Sequence, residues 1–285
     1  MLLGASPARA CPCQAGDPTL SGTSWGAARA GRVRLSLEGR WSTEGYGTRG
    51  RDRADVEDLR LEPSVVWSPM DWLVFSIVAP VAYRTVSRTN LTHEEHVGLA
   101  DPEVRLRVRL LSDAGRIPRN TLGVSLGIDV PLMGEAHAQD GTPVSMEAMI
   151  GSGSADPSAG IWYVHHEGAW TLFAVAGWRF PTTGLAGMRM GLAFDAVATL
   201  QWQPLPELAF RLGPDARLEV PGTMSGAIMT NTGGFSARLG GDVVYAPTPE
   251  VMLTLGARVP FVQALHGAHD LGVTVLGSVI GDLFP

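Results

Sequence analysis

The chain has 285 residues, 45% of them hydrophobic and 18% charged, with 35 glycines, 20 prolines and a formal net charge of -6. That length holds one large β domain or two small ones, and this hydrophobicity with so few charges excludes wholesale disorder. All 22 basic residues are arginine, which excludes a P-loop or Schiff-base lysine, and no basic run interleaved with aromatics marks a nucleic-acid surface.

No apolar run reaches the roughly 18 residues that a helical membrane span needs. The longest candidate, Trp72 to Tyr83, is too short and contains Pro80. At the N-terminus, Ala8-Arg9-Ala10 resembles a signal cleavage site. Residues 1–10 are therefore expected to be the remnant of a signal peptide. Residues 11–31, rich in Gly, Ser, Ala and Pro, read as a flexible periplasmic tail. The tail carries both cysteines, Cys11 and Cys13. So close a pair makes a strained disulfide, and the alternative is a soft-metal or redox pair.

From residue 32 on, apolar and polar residues alternate. Val33, Leu35, Leu37, Gly39 and Trp41 interleave with Arg34, Ser36, Glu38 and Arg40, the period of a strand with one apolar and one wet face. A charged loop, Thr43 to Asp58, follows. Further strands are expected at Leu59–Ser68, Trp72–Thr85, Asp101–Leu111, Thr121–Leu132, Ser158–His166, Trp170–Phe180, Met188–Trp202, Leu208 to about Leu212, Gly234–Tyr245, Val251–Gln263 and Leu271–Phe284. The connections alternate short and long. The fold expected is thus all-β, an antiparallel transmembrane β-barrel of about 12 strands over residues 32–285, in a bacterial outer membrane. Short turns and both ends then face the periplasm. Trp67-Ser68-Pro69, Trp202-Gln203-Pro204 and Tyr245-Ala246-Pro247 sit at short turns. There a proline suits the bend, and an aromatic suits the membrane–water interface. With Trp72 and Trp170 these aromatics form an expected periplasmic girdle. In the alternative, a soluble β protein, the tryptophans would be core.

On the inferred wet faces lie Arg105, Arg107, Arg109, Asp129, Asp195, Arg211, Arg238, Asp242 and Arg258. Charges of both signs inside a barrel either pair and close it, or line a pore and set its selectivity. His93, His96, His137, His266 and His269, with Met133, Met146, Met149, Met224 and Met229, fall in or beside expected outer loops. Thioether and imidazole ligands of this kind suit copper. No Gly-x-Ser-x-Gly, His-Glu-x-x-His or dinucleotide fingerprint is present, so neither an enzyme nor a cofactor is expected. His165 and His166 with Ser158 are the nearest to a hydrolytic set, and they lie beside a periplasmic turn.

Three segments stand out: Val97-Gly98-Leu99-Ala100-Asp101 with the strand after it, Gly151-Ser152-Gly153-Ser154-Ala155-Asp156-Pro157, and Arg258-Val259-Pro260 running on to Gly267. Together they resemble segments of the MetA-pathway phenol-degradation family of outer-membrane proteins. The sequence departs from the family in Ala100, where a glycine is usual, and in its Cys-Pro-Cys tail. The resemblance implies an outer-membrane channel for small solutes, aromatic or hydrophobic ones among them. Its partners would be outer-membrane lipid, the solute and the barrel-assembly machinery. A copper-linked barrel using the tail and a closed structural barrel are the alternatives.

Overall fold

A computed structural model of the chain describes residues 30–48, 50–114, 118–132 and 144–283. Twelve antiparallel strands form one closed barrel. They are β1 (Arg32–Tyr46), β2 (Ala54–Met70), β3 in two segments (Leu73–Val78 and Val81–Arg88) and β4 in two segments (His93–Leu99 and Glu103–Ser112). Then come β5 (Asn120–Asp129), β6 (Asp156–Glu167), β7 (Trp170–Arg179), β8 (Ala193–Leu205), β9 (Leu208–Glu219), β10 (Gly234–Thr248), β11 (Val251–Leu265) and β12 (His269–Asp282). Each strand pairs with its sequence neighbours, and β1 pairs with both β2 and β12. Closure removes every edge of this sheet, which a bilayer requires because it offers no partner for a free backbone group.

The period-2 pattern sorts the two faces. In β1, Leu35, Leu37 and Trp41 are exposed, whereas Glu38, Arg40 and Ser42 are buried. The apolar set therefore points out and the charged set in, the reverse of a soluble sheet. The aromatics of the short-turn end all lie outside: Trp67, Trp72, Trp170, Trp202 and Tyr245 are each 40–49% exposed. They meet side by side, with ring centroids 5.9 Å apart for Trp67 and Phe75, 6.0 Å for Trp170 and Trp202, and 5.9 Å for Trp202 and Phe210. Trp178 and Phe194, 5.1 Å apart, mark the opposite end. Two aromatic belts flanking an apolar band are the signature of a transmembrane barrel. The soluble alternative fails because its core tryptophans are on the surface.

Several boundaries differ from those expected. β1 and β2 run to Tyr46 and from Ala54, with 15 and 17 residues, so most of Thr43 to Asp58 is strand. It was polar enough to read as loop because the strands outrun the bilayer. The stretch carrying His93 and His96 is likewise strand. β9 continues to Glu219 through Gly213 and Pro214. Pro214 brings no N–H to the ladder, and a Cβ on Gly213 would lie 1.9 Å from the Ala198 carbonyl oxygen. Pairing with β8 lapses there and resumes at Asp215. β8 starts at Ala193, and Met188–Arg189 belongs instead to a small outer sheet with Thr223–Met224 and Ala227–Ile228. β3 breaks at Ala79-Pro80 and β4 at Ala100-Asp101-Pro102, where a proline in each strand withholds a ladder donor. Residues 1–29, with Cys11 and Cys13, lie outside the described residues, as do Met133, His137 and Phe284.

Candidate functional site

The inner wall carries a ladder of ion pairs. On β2, Asp58 accepts from Arg60 (2.7 Å) and from Arg84 of β3 (2.5 Å). Arg40 of β1 meets Glu62 of β2 at 2.8 Å, and Arg34 meets Asp282 of β12 at 2.8 Å. Charges that leave water together in this way offset one another's desolvation only when their geometry is good. Bidentate arginine forks supply that geometry.

The structure places each expected wall residue. Arg105 is buried and bonds Glu103 at 2.5 Å; Arg107 is buried two residues on; Arg109, on the same face, is half-buried near the short-turn end. Asp129 faces Arg179 at 3.2 Å across β6. Asp195 takes Arg217 at 3.1 Å, and Arg238 takes Asp215 at 2.7 Å. Asp242 holds Arg258 at 2.6 Å. Arg211 donates from Nε to Gln201 at 2.8 Å, and its guanidinium lies 6.0 Å from the centre of the Phe173 ring.

Sequence reasoning placed Arg40 on a wet face but missed the partners Asp58, Glu62, Arg84, Glu103, Arg179, Asp215 and Arg217. Strict alternation would have found most of them. Asp215 and Arg217 were lost because Gly213-Pro214 looked like the end of a strand.

Residues 144–155, ahead of β6, turn into the barrel mouth. Val144, Ala148 and Met149 pack with Tyr46, Ala54, Val56 and Val86 of the wall, and Ile150 packs with Ala82 and Ala100. Polar anchors fix it. Arg84 donates to the Met149 carbonyl. Glu147, buried, accepts from Arg88 at 3.2 Å. Glu94 accepts from the Ser145 N–H at 3.2 Å. Asp101, in the break of β4, accepts from the backbone of Ser152 and Gly153. Two of the family-like segments thus meet each other. Below this inward loop lies a cavity of about 110 Å³, lined by Arg40, Arg60, Arg179 and Arg217 with Glu62, Glu103 and Asp129, and roofed by Ile150, Gly151 and Ser152. Above it opens a vestibule of about 470 Å³ walled by Arg51, Asp52, Arg53 and Arg88, with Glu147 lining it too.

The outer rim is charged. In the loop before β2, the bonds from Arg53 to Asp270 raise its pKa further above the ordinary arginine range, although burial opposes this and Asp55 adds to it. Glu94 sits beyond the Tyr83 ring toward the loops. Burial works to raise its pKa, but the bonds from Ser145 and Arg88 outweigh burial and hold it below its ordinary value.

The histidine pairs do not form ligand sets. His93 and His96 lie three apart on one strand and therefore point to opposite faces. His93 is exposed beside Glu95, whereas His96 is half-buried. His269 opens β12 and stacks on Tyr46 at 4.3 Å, leaving His266 in the loop. Among the described residues no cluster of three or more His, Cys, Asp or Glu side chains is arranged to hold a metal ion.

Fold, belts and polar interior define a transmembrane β-barrel of the bacterial outer-membrane type. No family model matches the sequence, and no curated protein matches it. Among solved structures it is similar to the COG4313 outer membrane channel from Pseudomonas putida F1, at 14% identity and a TM-score of 0.70, over 92% of this chain and 98% of that one. It is also similar to the translocator domain of the autotransporter NalP from Neisseria meningitidis, at 11% identity and a TM-score of 0.52 over 92% and 93%. The transport unit of the autotransporter AIDA-I from Escherichia coli shares 10% identity and a TM-score of 0.51 over 89% and 90%. At these identities the likeness is one of fold.

Proposed function

We propose that the chain is an outer-membrane channel that passes small solutes by passive diffusion, and that the inward loop narrows it in the state described. The observation that carries this reading is the arginine-bearing cavity inside the barrel, with residues 150–152 of the inward loop lining it and Glu147 of the same loop lining the outer vestibule. The likeness to a structure described as an outer membrane channel supports it. Selectivity would come from charge and width along the wall. Arg105, Arg107 and Arg211 are its best determinants. Arg211 is buried, and its Nη1 makes no hydrogen bond among the described residues. A polar or anionic group on a passing solute would satisfy it. Preference for aromatic or hydrophobic solutes rests on the family resemblance.

The density of ion pairs favours a second reading, a closed structural barrel. Single-channel recording in planar bilayers separates the two. Discrete ohmic steps, with anion selectivity reduced in Arg105→Ala and Arg211→Ala, support the channel. Silence from protein shown to be folded and inserted supports the closed barrel.

A further inference from the structure

Five of the ten methionines gather at one place in the outer loops. Met188 and Met229 are 3% and 6% exposed, and Met146, Met190 and Met224 pack against them. Among the described residues the cluster contains no leucine, valine, isoleucine or phenylalanine, although the chain is rich in them. Its members come from three separate connections: Met146 from the inward loop, Met188 and Met190 from the loop before β8, and Met224 and Met229 from the loop before β10. Met190 also lines the lumen cavity.

The backbone under this cluster is built, not slack. Met188 and Met224 are cross-strand partners in the small outer sheet. Ser225 and Gly226 turn the next hairpin at φ 49° and 83°, the left-handed pair of a tight two-residue turn. The Met229 carbonyl accepts from the Thr232 N–H (3.1 Å) and hydroxyl (2.8 Å). The Met229 N–H donates to the Gly222 carbonyl (2.9 Å), and the Thr232 hydroxyl accepts from the Gly222 N–H (2.8 Å). A Cβ on Gly222 would lie 2.8 Å from the Arg189 carbonyl oxygen and 2.9 Å from the Met229 methyl carbon, so glycine there lets the two loops close on each other beside that thioether.

Flexible methionine does fill irregular gaps. A gap-filler, however, does not require five thioethers with no other apolar side chain among the described residues. Thioether sulfur is a soft, uncharged donor that selects monovalent soft cations. Unlike a thiolate it forms no disulfide, so it stays competent in an oxidising compartment. We infer that the Met146, Met188, Met190, Met224 and Met229 cluster is a binding site for a soft monovalent cation of the Cu(I) or Ag(I) class, set over the lumen cavity. The site is independent of whether the lumen conducts.

The test is titration of the full chain in detergent micelles with Ag⁺, and with Cu(I) against a chromogenic chelator. All variants are made in a Cys11→Ser/Cys13→Ser background, so that thiols do not compete. The result expected is one tightly bound ion per chain and sulfur-only coordination in the X-ray absorption spectrum. Met188→Leu and Met229→Leu keep the volume of the cluster, and such swaps cost under about 1.5 kcal/mol. Each should weaken binding by about tenfold or more, since losing even an outer partner of a metal ligand has effects of that size. Met70→Leu, on the far side of the barrel, should change nothing. Absence of binding in the serine background, or equal affinity in the leucine variants with the barrel shown folded by its gel mobility, overturns the inference.

Discussion

The Asp101 carboxylate is the catch that holds Ser152. Its Oδ2 accepts from the Ser152 N–H at 2.7 Å, from the Ser152 hydroxyl at 2.9 Å and from the Gly153 N–H at 3.1 Å. One oxygen, standing in the break of β4, thereby ties the inward loop to the wall. Hydrogen bonds to a charged group contribute about 1.5–3 kcal/mol each. Asp101→Ala is expected to free the segment at residues 151–154, raising amide exchange at Ser152 and Gly153 and enlarging single-channel conductance. Exchange rates equal to those of the wild type would show that the loop is held by its apolar contacts alone.

Arg84 is 1% exposed and joins Asp58 to the Met149 carbonyl. Removing one partner of a buried pair costs about 3–5 kcal/mol. Asp58 keeps Arg60, so Arg84→Met should fall near the lower end of that range. Urea unfolding of the refolded barrel in lipid vesicles reads the change directly. A loss below about 1 kcal/mol would place this pair with exposed ones.

Glu94 gives the loop a pH dependence. Its folded pKa lies below the ordinary value of 4.5, so its contribution is fully present above pH 4.5 and is lost as pH falls through the lowered value. Protease accessibility of the outer loops should therefore stay constant above pH 4.5 and rise only as pH falls below that value. In Glu94→Gln the rise should be absent, with the loop already loosened at neutral pH.

Gly123 makes room for Trp162 on the inner wall. A Cβ there would lie 2.3 Å from the indole and 2.3 Å from the Val108 carbonyl oxygen, and the indole N–H donates to the Val124 carbonyl at 3.2 Å. Gly123→Ala should destabilise the barrel by about 1–3 kcal/mol through overpacking. Gly281→Ala meets nothing within 4 Å and serves as the control, with no loss expected. Equal unfolding midpoints for the two variants would remove the steric argument.

Leu126 is 57% exposed on the outer face of β5. Arginine near the bilayer midplane costs about 2–4 kcal/mol in a barrel. Leu126→Arg should therefore destabilise the protein in vesicles by that amount, whereas in water a surface arginine would be nearly neutral. A neutral result would argue against lipid contact at this face.

The sequence alone determined the barrel, its strand count and which residues face out. The alternation of Leu35, Leu37 and Trp41 with Glu38, Arg40 and Ser42 is a local property with period 2. The prolines and aromatics at Trp67, Trp202 and Tyr245 mark turns by their own dihedral and interfacial preferences. Such signals survive without any knowledge of distant residues. Where a local signal misled, another local preference masked it: Gly213-Pro214 resembles a turn, and the charged ends of β1 and β2 resemble a loop. Only the tertiary structure decided the rest. That Asp101 meets Ser152, that Asp129 reaches Arg179 across a strand, and that five methionines from three loops converge all follow from the tertiary fold. Closure brings together segments far apart in the chain, and no period in the sequence encodes which of them will touch.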